Sequence, residues 1–175
     1  MTASVHSEPG PPQPRTGAVM EPALILGIGN VLLTDEGVGV HVIRQLTHRY
    51  ATRPHVECMD GGTISFMLSS AIVSTNHLII VDTAALDAAP GTVRTFEGND
   101  MDEFIAHGGK TSVHEVSIAD LLTMAVLEGR LPRQRALVGI QPETLDWGDY
   151  PSPAVAASIP VACEAVDNIL QRWQS

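Results

Sequence analysis

The pattern of apolar and polar residues changes early in the chain, from a continuous apolar run to a spacing of four. Residues 23–26 are all apolar and end at a glycine, which is typical of a parallel strand buried on both faces. Residues 38, 42 and 46 are apolar at helical spacing, which predicts a helix over 38–46. The connecting loop contains Asp35 and Glu36. Because open α/β sheets form their crevices at the carboxyl ends of strands, these two carboxylates are the first candidates for chemistry.

Strands and helices continue to alternate towards the C-terminus. The strand at 91–96 follows no long crossover helix, so we expect it at the sheet edge and antiparallel. Pro160 predicts a kink or a late start in the last helix. The expected fold is an α/β three-layer sandwich, with a mostly parallel sheet of about five strands and helices on both faces. The further elements are strands at 55–60, 77–82, 91–96 and 135–140, and helices at 64–73, 112–129 and 155–173.

Residues 1–20 differ in composition from the rest of the chain. They are rich in proline and contain no hydrophobic segment of the secretory type. We expect a disordered N-terminal tail over 1–20 and a single α/β domain over 21–175. No apolar run approaches the roughly 20 residues of a membrane span, so we expect a cytoplasmic protein without a membrane partner.

Charge and cysteine content narrow the classes of partner. The net charge of −10 argues against nucleic acid, because such partners need clustered Lys and Arg. Cys58 and Cys163 lie far apart without the paired spacing of a structural zinc site, so we expect two reduced thiols. Nothing in the sequence determines the oligomeric state, and a monomer is the default expectation.

Four residues are candidates for a metal or catalytic site: Glu36, Asp60, Asp82 and His114. Both aspartates end predicted strands, near the edge that Glu36 occupies. The pattern Ser112-x-x-Glu115 matches a capping box, which places His114 in the first turn of a helix. The helix dipole there lowers the imidazole pKa and favours the neutral form that binds metal. Two carboxylates and a neutral imidazole suit a divalent ion such as nickel or zinc.

Each candidate also has an ordinary structural explanation. Glu36 can complement a helix dipole, as many first-turn acids do. Asp60 can close the turn at Gly61 or cap the next helix, and Asp82 can bond backbone amides at the strand end. His114 can be an exposed residue of the first turn.

Other familiar motifs are incomplete or absent in the sequence. The pair Gly27-x-Gly29 resembles the start of a dinucleotide fingerprint, but Leu32 stands where the third glycine belongs. No Ser-His-Asp arrangement and no Gly-x-Ser-x-Gly elbow is visible. Cys58 in a strand and Cys163 in a helix are poor nucleophile candidates.

The first loop also has a family resemblance. Gly27-Ile-Gly29-Asn30-x-Leu32-Leu33-x-Asp35-Glu36-Gly37-x-Gly39 resembles the N-terminal signature of the hydrogenase maturation endopeptidases. These enzymes clip a C-terminal extension from the large subunit of nickel–iron hydrogenases. The resemblance covers the chain from about Pro22 to the last helix, so Met20 is a candidate start site besides Met1. Similar landmarks recur in order, namely Asp60-Gly-Gly-Thr63, Leu78-Ile-Ile-Val-Asp82, Pro90-Gly91-Thr92, Ser112-Val-His114, Ala119-Asp120-Leu121 and Val138-Gly-Ile-Gln-Pro-Glu143.

The resemblance implies a function and a site. The family's metal ligands correspond to Glu36, Asp82 and His114, and Asp60 would lie beside the cleft. The substrate would be a hydrogenase large-subunit precursor already loaded with nickel, cut after a basic residue. The nickel would come from the substrate, although zinc or cadmium can occupy such a site.

The resemblance leaves mechanism and class open. The nickel bound by the three ligands can polarise the scissile carbonyl or activate a water. Alternatively it only positions the chain, and a carboxylate such as Asp60 or Asp35 is the base, as in an aspartic-type enzyme. Two other classes use the same ligands: a non-catalytic nickel-checking protein, and a metal-dependent hydrolase with another substrate.

Overall fold

The computed structural model describes residues 20–63, 66–107 and 117–175. Except for Met20, the predicted disordered tail lies outside these ranges. Two short 3-10 helices, Thr34–Gly37 and Phe66–Leu68, precede the first two α-helices. The strands are β1 (Ala23–Ile28), β2 (Val56–Gly62), β3 (His77–Thr83), β4 (Val93–Glu97) and β5 (Gln134–Ile140). The α-helices are α1 (Val38–Tyr50), α2 (Ser69–Val73), α3 (Asn99–Ala106), α4 (Ile118–Leu127) and α5 (Pro153–Trp173).

The five strands form one sheet in the order β2-β1-β3-β5-β4. All neighbours are parallel except β4, which runs antiparallel to β5 at the edge, as predicted. β1 and β3 are buried at every residue. Continuous burial is the reason that their sequences are unbroken apolar runs, since helices cover both faces of a parallel sheet.

The side chains of the sheet divide between two apolar cores, one on each face. On one face, α1 and α5 pack over Ile25, Ile79 and Val138. On the other face, α2, α3 and α4 pack over Leu26 and Ile80. Successive residues of β1 and β3 therefore contribute to opposite cores, which is the alternation of a pleated strand. The predicted three-layer α/β sandwich is confirmed.

The last helix, α5, begins before Pro160. Ser152 is its N-cap, Pro153 occupies the first turn, and the helix continues through Pro160. The predicted late start is therefore wrong. By length and composition α5 is the one described helix that would suffice to cross a membrane. Its buried side chains, including Val166 and Ile169, lie in the core shared with α1, which accounts for its apolar character.

The helix α4 begins with a capping box. Ser117 has an extended backbone and caps the helix, with its Oγ accepting a hydrogen bond from the amide of Asp120. The Asp120 carboxylate accepts in return from the amide of Ser117 at 2.8 Å, which completes a capping box. The described helix therefore begins at Ile118, whereas the start predicted at Ser112 lies outside the described residues. Ser117 and Asp120 have the same spacing as Ser112 and Glu115, so both pairs match a capping box in the sequence.

A glycine contact seats α1 on the sheet. A Cβ on Gly39 would lie closer than 3.0 Å to the carbonyl oxygens of Ile28 and Val81, so only glycine fits. A Cβ on Gly27 would clash in the same way with the backbone of Gly39. The first turn of α1 thus lies directly on the backbones of β1 and β3, closer than any side chain would allow.

Gly39→Ala tests this contact. Alanine would raise the helix propensity of α1 by about 1 kcal/mol in isolation. We expect the opposite sign in the protein, a loss of about 1–3 kcal/mol in the free energy of unfolding, because the added methyl overpacks the contact. Urea denaturation measures the change. A stabilised variant would show that α1 does not rest on the strands as described.

Candidate active site

Glu36 is held at the carboxyl end of β1 by a tightly folded loop. It belongs to the 3-10 helix Thr34–Gly37, which leads directly into α1. Gly29 has φ +137°, and a Cβ there would clash with the carbonyl oxygen of Glu36. The glycine therefore lets the loop fold back on itself. Glu36 is only 5% exposed and lies at the positive end of the α1 dipole, as predicted.

Asp82 is the second buried carboxylate at this edge. It is 2% exposed and lies in β3, directly after the residue that pairs with Gly27 of β1. Its Oδ1 accepts a hydrogen bond from the amide of Thr83 at 2.8 Å. The 3-10 helix that contains Glu36 packs against β3. The structure therefore brings the elements of Glu36 and Asp82 to one edge of the sheet.

Asp60 is an exposed carboxylate beside a bulge in β2. The register between β1 and β2 shifts after Gly27 pairs with Asp60, so that Ile28 pairs with Gly62 and Gly61 is extra. The Oδ1 of Asp60 accepts from the amide of Gly62 at 2.9 Å. The predicted turn is thus a bulge within the strand, a feature common beside active sites.

Asp60 and Asp82 lie on opposite sides of β1. Strands are spaced about 4.8 Å apart, so the backbones of β2 and β3 are roughly 10 Å apart. Asp60 faces a cavity of about 320 Å³ that is also lined by Asn30 and Val40 of the β1 loop and α1. By the alternation of β3, Asp82 follows Ile80 towards the opposite core. The structure therefore separates the exposed carboxylate of Asp60 from the buried carboxylate of Asp82.

Asp35 has a structural role that the sequence did not reveal. It is fully buried and accepts hydrogen bonds from the amides of Glu143, Thr144 and Ser152 at 2.8, 3.0 and 2.6 Å. The hydroxyl of Ser152 donates a fourth at 3.0 Å. A carboxylate that is engaged in this way and out of reach of water is unsuited to be the base, so that alternative is not supported.

The loop between β5 and α5 is fastened to the β1 loop at further points. The amide of Thr34 donates to the carbonyl of Gly148 at 2.9 Å, and the amide of Gly148 donates to the carbonyl of Leu32 at 3.0 Å. The Thr34 hydroxyl donates to the carbonyl of Thr144 at 2.9 Å. Two loops more than 100 residues apart in sequence therefore form one continuous structure beside Glu36.

His114 and the capping box predicted around it lie outside the described residues. The first described helix after these residues is α4, which begins at Ile118. In the ranges 20–63, 66–107 and 117–175 no three His, Cys, Asp or Glu residues are grouped as metal ligands. The three-ligand site thus stays a prediction, with Glu36 and Asp82 as its described members.

Comparison with known proteins identifies the family. The family model described as hydrogenase maturation protease matches residues 40–169, about three quarters of the chain. The chain belongs to the hydrogenase maturation protease family. It is 36% identical over 144 residues to the hydrogenase 2 maturation protease of Escherichia coli, which covers 82% of this chain and 87% of that protein. It is also 36% identical over 149 residues to the hydrogenase expression/formation protein HoxM of Cupriavidus necator, covering 85% and 73%.

Solved structures of this family have the same fold. The hydrogenase maturating endopeptidase HybD of Escherichia coli matches with a TM-score of 0.77 and 33% identity, over 86% of this chain and 93% of that one. The maturation protease HybD of Thermococcus kodakarensis matches with a TM-score of 0.72 and 26% identity, over 85% and 99%. The resemblance noted in the sequence is therefore confirmed at the level of family and fold.

The cysteines of this family member are unsuited to nucleophilic catalysis. Burial raises the pKa of the Cys58 thiol to about 11, so little thiolate is present at neutral pH. Burial also raises the pKa of Cys163, which lies on α5 and is fully buried in the core. These environments agree with the expectation that neither cysteine is a nucleophile.

Asp35→Asn tests the anchoring role of Asp35. The amide keeps the shape of the carboxylate but loses the charge and half of its acceptor capacity. We expect a loss of about 1–3 kcal/mol in the free energy of unfolding, because buried amides lose their acceptors. Hydrogen exchange should accelerate in residues 143–152. The matched control is Asp146→Asn, at an exposed position in the same loop, and an equal effect there would contradict the assignment.

Proposed function

We propose that the protein is the endopeptidase that removes a C-terminal extension from a nickel-loaded large-subunit precursor of a nickel–iron hydrogenase. Membership of the hydrogenase maturation protease family supports the reaction class. The observation most relevant to the site is the pair of buried carboxylates, Glu36 and Asp82, at one edge of the sheet. Carboxylates of such low exposure are stabilised by a cation, and their oxygens suit a divalent metal.

In this proposal nickel belongs to the substrate. Glu36, Asp82 and His114 would contact the nickel that the precursor brings, so that an unloaded precursor is not held in register. These residues then orient the substrate, and the reaction becomes effectively intramolecular. Zinc or cadmium would be able to occupy the same oxygen and nitrogen ligands in the isolated protein.

Asp60 is the proposed general base. It is the exposed carboxylate of the three described candidates, and it faces an open cavity next to the first loop. A water that gives its proton to Asp60 attacks the scissile carbonyl carbon, and the same proton then passes to the leaving amine as the peptide bond breaks. The burial of Asp35 and its four hydrogen bonds favour Asp60 over Asp35 for this role.

Substitutions at the ligands and at the base should differ in what they impair. Glu36→Gln, Asp82→Asn and His114→Ala are expected to lower nickel-dependent processing by about tenfold or more and to weaken precursor binding, since the nickel contact is lost. Asp60→Asn should retain binding but lower kcat by about a hundredfold or more, because a general base is removed. Single-turnover kinetics and a binding titration with the loaded precursor separate the two effects.

Cys58→Ser and Cys163→Ser are the controls for these variants, and both should process the precursor normally. Circular dichroism checks that each variant is folded. Normal processing by two of the three ligand variants would refute the ligand assignment. A normal kcat in Asp60→Asn would show that Asp60 is not the general base.

The intact mass of the precursor distinguishes the proposed function from its rivals. We expect loss of a C-terminal peptide after incubation of the nickel-loaded precursor with the protein, and no change in the nickel-free precursor. Binding of the loaded form without any loss of mass would instead indicate a nickel-checking protein. Cleavage of unrelated peptides would indicate a general metal-dependent hydrolase.

A further inference from the structure

Large apolar side chains are exposed around the candidate active site. Nine are exposed in the described ranges, and five of these, Leu32, Phe66, Met67, Trp147 and Tyr150, follow the carboxyl ends of β1, β2 and β5. Trp147 and Tyr150 are 82% and 81% exposed. Single exposed apolar residues are ordinary, but a group of them beside a candidate active site is typical of a binding surface.

The aromatic side chains project from an ordered backbone. We call residues 143–150 the aromatic–acidic loop. Asp35 accepts from the amides at its start and from Ser152 just beyond its end, and Gly148 pairs with Leu33 in an isolated bridge. Because this backbone is fixed before any partner arrives, little conformational entropy is lost when Trp147 and Tyr150 are covered.

This surface is negatively charged. Glu143, Asp146 and Asp149 of the aromatic–acidic loop are exposed, and residues 29–37 and 141–152 contain no Lys, Arg or His. The opposite end of the sheet, where β5 begins, also carries positive charge, because Arg130 and Arg133 lie in the connection that enters β5. The apolar surface beside the active site therefore complements a positively charged partner, not a second copy of this acidic surface.

We infer that a positively charged segment of the large-subunit precursor docks on Leu32, Trp147 and Tyr150, with its Lys or Arg groups near Glu143 and Asp149. This inference rests on the proposed function for the identity of the partner. Lys and Arg side chains suit such a surface, because their alkyl stems cover apolar area and their charged groups lie over aromatic rings. The loop thus selects the precursor at a site separate from the nickel ligands.

The test is a steady-state analysis of nickel-loaded precursor processing by two double variants. Trp147→Ala with Tyr150→Ala should raise KM by about tenfold with kcat retained, the loss expected for aromatic anchors of an interface. Glu143→Gln with Asp149→Asn should also raise KM and should weaken its dependence on ionic strength, because charge attraction is screened by salt. Neither pair contributes a side chain to the anchoring by Asp35.

Matched controls lie at the opposite edge of the sheet. Leu127→Ala removes an apolar side chain that is 81% exposed, and Glu128→Gln removes an exposed acid beside it. Both should keep the wild-type KM. Wild-type KM in both double variants, or an equal rise in the controls, would overturn the docking surface while leaving the protease function intact.

Two further outcomes are assigned in advance. If the wild-type protein does not cleave the precursor, the proposed function fails, and the dissociation constant of the uncleaved precursor tests the docking surface by itself. If sedimentation shows a wild-type dimer that Trp147→Ala with Tyr150→Ala converts to a monomer, the surface serves self-association and the inference is wrong.

Discussion

The contact between the β1 loop and the strands beneath it determines the rest of the site. At Gly27, Gly29 and Gly39 one backbone lies against another at a distance that no side chain tolerates. This approach brings the start of α1 onto β1 and β3, and it brings Glu36 to the end of the sheet where Asp82 lies, one residue before the end of β3. The glycines of the first motif therefore do not cradle a phosphate. Because they lack a Cβ, the backbone of α1 can contact the backbones of the strands directly.

Asp35 and Glu36 are neighbours in sequence with different tasks. Asp35 turns into the protein and satisfies the amides of a loop that has no regular secondary structure. Such amides would be costly to bury without an acceptor, so a buried carboxylate stabilises the loop at modest desolvation cost. Glu36 is left at the sheet edge with the dipole of α1. Asp35 thus organises the surroundings, and Glu36 is the neighbour to which the proposed function assigns the metal contact.

The sequence predicted the features that depend on local patterns. Unbroken apolar runs predicted β1 and β3, and the missing crossover helix predicted that β4 is an antiparallel edge strand. The apolar run of β3 also predicted that Asp82 lies near the carboxyl end of that strand. It did not predict features that depend on partners distant in the chain. The groups that donate hydrogen bonds to the Asp35 carboxylate lie 108 to 117 residues away, and the bulge at Gly61 depends on the register of β1. Ser117 and Asp120 form the capping box of α4, and the sequence alone did not distinguish this pair from Ser112 and Glu115.

The hydrogen bonds from Ser152 to Asp35 have a consequence for the order of synthesis. Ser152 lies 117 residues after Asp35 and also caps α5. While the chain grows on the ribosome, the first strand and helix emerge early, but the carboxylate meets its partners only after most of the chain has been translated. Contacts of such long sequence separation close slowly. A chain that ended before Glu143 would therefore leave the buried Asp35 carboxylate without these donors, and the loop beside Glu36 would lack its anchor.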